Sequence, residues 1–381
     1  MKKVLILFYI LCAVCLPQTA AAEKVVVPRY LFVSVIQDPS VLSSRQAIED
    51  LIVFAQRAGI KMLFVQVYRA NRAWFLTSIA DTKPYQECYK SVSGDPFALL
   101  IKKAHAAGIE VHAWVNLLTL STNEEAPILK KYGTTVLTRN KVVKTKLQDY
   151  KIDNQYFLEP SDRRVRADLS TLLDDLLRRY PELDGVQFDY IRYPDTKPFY
   201  GYSKDNITRF KKVTGKRVVT EEDKAWKDWK RHEVTELLTA LVARARKLKP
   251  GIKISATGCM PYTRAYHEAL QDWPGWLNHG LVDFVTTMSY SPEPVEFAAW
   301  ITYVKTKVSD FRKVIIGVGA YKLLRSPEVF REEIKICEGL GAGACAIFHY
   351  GSLLEGSALS TVLVRPGPPG ITLKRTKTLR R

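Results

Sequence analysis

The chain has 381 residues, 47% of them hydrophobic, enough for one large core or two domains, and it carries a formal charge of +18. So large an excess of base points to an anionic partner and is silent about fold. Beyond the first residues no run is long and apolar enough to cross a bilayer, which takes about 20 residues. No Gly-x-Gly-x-x-Gly follows a strand-like run, so a dinucleotide enzyme has no support either.

The chain opens Met1-Lys2-Lys3, runs apolar from Val4 to Leu16 and then offers small residues at Ala20-Ala21-Ala22. This is the pattern of an export signal, 1–22, cut after Ala22, and it predicts a periplasmic or secreted mature protein. In that compartment nucleic acid is a poor partner, and an anionic glycan or the envelope surface fits the charge better. The remaining cysteines, Cys88, Cys259, Cys337 and Cys345, include no Cys-x-x-Cys pair, so a metal or redox motif is not expected. Export permits disulfides. Cys337 with Cys345 is the least strained pairing, and plain buried thiols fit as well.

Eight strand-like runs follow, separated by helix-period stretches. Tyr30 to Ile36 is the first, and a helix from Ser44 to Ala58 is closed by Gly59. Met62 to Tyr68 is the second; Asp95-Pro96 then caps a helix through Ala107. The third, Glu110 to Asn116, precedes a long excursion from Leu117 to Ser161, and a helix spans Asp162 to Tyr180. The fourth, Val186 to Ile191, lies inside Asp184-Gly-Val-Gln-Phe-Asp-Tyr-Ile-Arg-Tyr-Pro194. Its residues are β-branched or aromatic, Gly185 admits a tight turn into it, and Pro194 forbids its continuation.

After a second long insertion a helix runs from about Glu221 to Lys249. The last four runs are Lys253 to Met260, Asp283 to Ser291, Val314 to Tyr321 and Gly343 to Tyr350. Helices at Pro294 to Val308 and Pro327 to Leu340 separate the last three, and a helical stretch from Tyr266 to Asn278 is broken by Pro274 and Gly275.

Strands alternating with helices imply parallel pairing through βαβ units. Eight of them predict an α/β fold, a (β/α)8 TIM barrel over residues 23–364 with long insertions after strands three and four. A doubly wound sheet is the alternative, but it would need fewer strands or a switch point that the order does not offer. The tail, Arg365 to Arg381, holds six basic residues, no acid, three prolines and two glycines. It is expected to be disordered, and it either adds attraction to the envelope surface or is simply a solvated end.

In such a barrel chemistry is done where the strands end. Those ends carry Gln66, Tyr68 and Arg69, then His112, Trp114 and Asn116, then Gln187, Asp189, Tyr190 and Arg192. Tyr262, Tyr290, Tyr321 and His349 follow the later strands. Flat rings, amides, imidazoles and phenols with few charges suit a sugar, and these groups are expected to position one. Hydrolysis of a glycosidic bond usually uses two carboxyl groups. Asp189 is the first, because a carboxylate among apolar neighbours is costly to bury without a task, although an ion pair with Arg192 would also satisfy it. For the second the order is Asp272, which lies between tryptophans, then Glu159, then Glu293. Asp38 is a weaker choice, and Glu233 reads as packing beside Trp226 and Trp229. His112 and His349 are far apart, and no pair of ligands shares an element at metal spacing, so neither metal nor organic cofactor is expected.

Phe64-Val-Gln-Val-Tyr68, Asp95-Pro-Phe97, the run from Ala104 to Asn116, and Asp184 to Pro194 together resemble the bacterial glycosyl-hydrolase-like family ten. Trp226-Lys-Asp-Trp-Lys-Arg231, Val282-Asp-Phe284 and Met288-Ser-Tyr290 extend the resemblance over nearly the whole mature chain. It implies an exported TIM barrel acting on glycan strands, and peptidoglycan stripped of its stem peptides for the divisome-localised member of that family. The fourth-strand motif also looks like a reduced chitinase-type Asp-Gly-x-Asp-x-Asp-x-Glu. Gln187 replaces one acid there and Ile191 stands where the proton-donating glutamate would be, so chitinase-style catalysis is not implied. The carboxylate on alternate sugars of peptidoglycan strands would meet Arg69, Arg72 and Arg192. The sequence therefore reads as a glycosidase acting on an anionic, peptidoglycan-like glycan. A barrel that binds glycan without cleaving it, and a hydrolase of another anionic polysaccharide, are the alternatives.

Overall fold

The computed structural model describes residues 27–364 apart from 143, 145 and 196–198. The expected leader and basic tail lie outside the described residues. Eight parallel strands form the centre: β1 (Arg29–Val33), β2 (Ile60–Arg69), β3 (Glu110–Asn116) and β4 (Gly185–Asp189). They continue as β5 (Lys253–Gly258), β6 (Phe284–Met288), β7 (Val314–Gly319) and β8 (Ala344–Phe348). Each pairs with its sequence neighbours, and β1 pairs with both β2 and β8, so the sheet closes on itself. The closure rules out a doubly wound sheet, and all eight expected strands are present.

Alternation along the strands sorts the side chains into two layers. Phe32, Met62, Phe64, Trp114, Ile315, Ala344 and Ala346 fill the lumen together with Tyr30, Phe284 and Phe348. The opposite faces join the helices in the main core. His112 shares the lumen, its ring edge-on to Phe64 with centroids 5.6 Å apart. Gly185 stands opposite His112 in register, and a Cβ there would lie 2.3–2.7 Å from the imidazole. Gly185 therefore serves close approach rather than a tight turn.

Short polar side chains start the helices by accepting from free N–H groups. Asp95 caps Pro96–Ala106, Asp162 caps Arg163–Arg179, and Asp223 caps Lys224–Leu248. Between β5 and β6 the expected helix breaks earlier than Pro274. Tyr262–His267 and Trp273–Asn278 are separate, and Pro274 sits in the first turn of the second, where its missing N–H costs little. Helices Lys83–Val92 and Lys204–Thr214 were not expected from the pattern.

The insertion after β3 folds back through a ribbon of Thr119–Ser121 with Tyr156–Phe157. The insertion after β4 builds a satellite core in which Tyr202 and Phe210 pack on Trp226 of the long helix Lys224–Leu248. Glu233 on that helix binds Arg166 at 2.7 Å and Arg209 at 2.8 Å, which ties the inserted helix Lys204–Thr214 to the barrel's outer layer. That is the packing role expected of it. All four described cysteines are buried free thiols, Cys337 and Cys345 included. Among the described residues no helix is long and apolar enough to cross a membrane.

Replacing Gly185 by Ala forces His112 to move within a filled lumen. Such overpacking should cost about 1–3 kcal/mol, read as a lower urea midpoint with an unchanged slope. A midpoint equal to that of the unmodified protein would mean that the lumen has room for the displaced ring.

Candidate functional site

Asp189 ends β4 and is 5% exposed. Its Oδ2 accepts from Trp114 Nε1 (2.9 Å) and Asn116 Nδ2 (3.3 Å), and its Oδ1 from Thr257 Oγ1 (2.6 Å) and the Tyr190 N–H (2.7 Å). Three of these four groups can only donate, so the pocket is shaped for a carboxylate. The chain of bonds continues away from it. Asn116 Oδ1 accepts from Gln66 Nε2 (2.9 Å), and Gln66 Oε1 accepts from Ser34 Oγ (3.0 Å) and the Val35 N–H (3.2 Å). One network thus crosses the barrel mouth from the end of β1 to β5. So many buried polar groups are tolerated because each finds a partner.

The backbone contributes as well. Tyr190 has φ +52°, a left-handed conformation that side-chain-bearing residues seldom adopt. It ends β4 two residues before the expected Ile191 and turns the Tyr190 N–H onto the carboxylate. Strain of this kind, about 1–3 kcal/mol per residue, concentrates at functional sites. Arg192 does not pair with Asp189. Its guanidinium lies 4.6 Å from the Tyr190 ring centroid and 3.4 Å from Asp195, so a simple ion pair does not account for Asp189.

Across the mouth, Tyr290 packs against Phe348 (5.2 Å between centroids) and Tyr321 (5.7 Å). Gly319 makes the space, since a Cβ there would meet Tyr290 at 3.0–3.1 Å. Burial, with the charge of Asp189 nearby, raises the Tyr290 hydroxyl well above the usual phenol range. Tyr321 remains 41% exposed at the rim. His349 lies beside this wall at the end of β8; burial lowers its pKa, and its Nδ1 has no partner.

Several expected residues are placed elsewhere. Tyr68 is a core residue, not a substrate contact: the register shifts after Gln66, and the Tyr68 hydroxyl accepts from Asn71 Nδ2 at 3.0 Å. Asp272 caps the helix Trp273–Asn278, accepting from the Gly275 N–H (3.2 Å) and Tyr262 Oη (2.8 Å) beside Thr235 and Trp276 of the outer layer. Both Asp272 and Tyr262 are thereby committed to that turn. Glu159 is fully buried and accepts from Tyr193 Oη (2.6 Å) and Ser161 Oγ (3.0 Å); burial raises its pKa. Neither Asp272 nor Glu159 is hydrogen-bonded to the Asp189 network. Glu293 is exposed between β6 and the helix Pro294–Lys305, at the end of the barrel where β4 also finishes. Arg69 ends β2 half-buried, whereas Arg72 faces Asp81 at 3.7 Å.

Four residues of the mouth were missed: Ser34, Thr257, Asp195 and Arg264. Strand alternation could have given Thr257, two residues beyond the lumen-facing Ser255. Asp195 and Arg264 lie beyond strand ends, where no period operates. A cavity of about 730 Å³ walled by Val27, Arg29, Gly59 and Val364 opens at the opposite end of the barrel. Among the described residues no group of three or more His, Cys, Asp or Glu side chains could hold a metal ion.

The profile of the family described as glycosyl hydrolase-like 10 matches residues 31–329. Glycosyl hydrolase DigH of Escherichia coli K12 is 24% identical over 304 residues, which cover 73% of this chain and 66% of that relative. The chain thus spans just under two thirds of the length of the curated relatives it matches. Among solved structures, the PgaB (BpsB) glycoside hydrolase domain from Bordetella bronchiseptica superposes with a TM-score of 0.68 at 16% identity, over 90% of this chain and 100% of that one. The catalytic domain of β-amylase from Paenibacillus polymyxa gives 0.58 at 11% identity, over 89% and 99%. At these identities the two structures speak for the fold alone.

The raised pKa of buried Glu159 couples stability to pH. The folded state favours its protonated form, so its contribution is full below about 4.5, the ordinary glutamate value, and is lost as pH rises through the folded-state value. Glu159→Gln removes that titration. The variant's urea midpoint should gain on that of the unmodified protein as pH climbs above about 4.5. A difference independent of pH would contradict the assignment.

Proposed function

We propose that this chain, which belongs to the glycosyl hydrolase-like 10 family, is an exported glycosidase that cleaves glycan strands of peptidoglycan freed of their stem peptides. Asp189 carries the reading: it is a buried carboxylate at the C-terminal end of a barrel strand, held by four donors at the mouth. Glycosidic cleavage develops positive charge at the anomeric carbon, and a fixed carboxylate in a water-poor wall stabilises it as nucleophile or as counter-charge. Because its donors are already in place, Asp189 needs no reorganisation while that charge develops. Glu293, exposed beyond β6, is the proton donor to the leaving oxygen. Tyr290 and Tyr321 offer ring faces for the sugar, and the positive net charge, +16 once Lys2 and Lys3 leave with the leader, favours an acidic strand.

A second reading has one observation in its favour. Ile191, at the position where a chitinase-type motif would place its acid, is fully buried. A barrel that binds strands without cutting them would need no acid there.

The test is product analysis of the purified protein on amidase-stripped sacculi, intact sacculi and neutral chitin oligomers. Soluble saccharides with new reducing ends are expected from the stripped sacculi, and Glu293→Gln should lower their release by about 10²–10⁴-fold. Retention on stripped sacculi without product supports the binding reading. Product only from a different acidic polysaccharide would keep the chemistry and replace the substrate.

A further inference from the structure

Two guanidinium groups flank the mouth on the side of β4 and β5. Arg192 is 7% exposed, yet its Nε and Nη1 have no hydrogen-bond partner. Arg264, on the short helix Tyr262–His267, has a side chain 44% exposed and is anchored by Nη2 donating to the Met260 carbonyl at 2.8 Å. Asp195 lies between them, 3.4 Å from Arg192 and 3.6 Å from Arg264. Both are ion-pair distances that form no hydrogen bond. The second Asp195 oxygen also faces Cys259 Sγ at 4.0 Å. Two planar, five-donor groups therefore share one loosely held carboxylate.

A buried arginine with unmet N–H groups is costly unless something completes its hydrogen bonds. A planar acceptor with two oxygens does so best, because guanidinium and carboxylate match in bidentate geometry. The opposite wall has the other character. There Tyr290 packs against Tyr321 and Phe348, and Tyr321 keeps 41% of its surface exposed.

We propose that Arg192 and Arg264 form a subsite for a carboxylate carried by the glycan. Arg264 meets the carboxylate from the rim, and the unmet N–H groups of Arg192 complete it from within. Arg192, stacked on the Tyr190 ring next to Asp189, backs it with a fixed positive charge, and Asp195 spaces the pair while the site is empty. The acidic substituent then lies on the β4–β5 side and the sugar face on the Tyr290–Tyr321 side, which fixes the orientation of the strand across Asp189. That the carboxylate is carried by a glycan strand lying across Asp189 rests on the proposed function. Recognition of the carboxylate is a binding property and can be measured without turnover.

The test compares binding of stripped glycan strands with binding of the same strands after their carboxyl groups have been reduced to alcohols, by calorimetry. The proteins are the unmodified chain, Arg264→Gln and Arg264→Lys, each with its melting temperature recorded. The unmodified protein should prefer the acidic strands. Arg264→Gln should weaken them by about tenfold or more, a charge-assisted hydrogen bond's worth, and leave the reduced strands unchanged. Arg264→Lys should restore part of the loss. Equal weakening of both strands by Arg264→Gln, or no preference in the unmodified protein, overturns the proposal. The expected preference without any product release would sink the glycosidase reading and leave this subsite standing.

Discussion

A carboxylate buried at the top of a barrel must be surrounded by donors, and the arrangement of the upper lumen follows from that requirement. Trp114 reaches Asp189 from β3, so its ring lies across the lumen and meets Phe32 (5.2 Å) and Phe348 (5.8 Å) edge-on. Thr257 reaches it from β5, and Asn116 is held in turn by Gln66. Below this layer His112 takes the centre of the barrel, which leaves β4 no choice but Gly185 opposite it. Above it Tyr190 adopts a strained conformation that supplies the last N–H. Removing any one donor leaves a buried oxygen short of a partner, at a cost of about 1–3 kcal/mol.

The same geometry divides the mouth into two unlike walls. Arginines and Asp195 stand at the ends of β4 and β5, and tyrosines and Phe348 at the ends of β6 to β8. The proposed carboxylate subsite lies on the first wall and the proposed sugar face on the second. The insertions after β3 and β4 brace the charged wall from behind: Tyr193, one residue past Arg192, donates to Glu159 of the first insertion, and its N–H donates to the Ala269 carbonyl beyond β5.

The barrel was legible because local signals and global fold agree. Alternating runs marked all eight strands, and Asp95 and Asp162 announced helices that begin one residue later. The place of Asp189 at the end of a strand was legible in the alternation. What escaped the sequence depends on single-residue geometry or on contacts between distant segments. A register shift after Gln66 turned Tyr68 into the core, and no period in the run announces it. Asp272 precedes Trp-Pro-Gly, which is the pattern of a helix cap with proline in the first turn; the flanking tryptophans suggested a ligand site instead. Glu159 meets a tyrosine 34 residues away, a contact made only once the first insertion folds over the barrel. One left-handed residue, Tyr190, decides that Arg192 serves Asp195 rather than Asp189.

Turnover of stripped glycan strands by Asp189→Asn is the decisive measurement of whether this carboxylate reacts. The amide places N–H groups against groups that themselves donate, so the variant should melt lower by an amount equivalent to about 1–3 kcal/mol while remaining folded at the assay temperature. With the carboxylate gone, release of reducing ends should fall by about 10³-fold or more, with strands still bound. A folded Asp189→Asn protein that releases product at the rate of the unmodified chain would place the reacting carboxylate elsewhere.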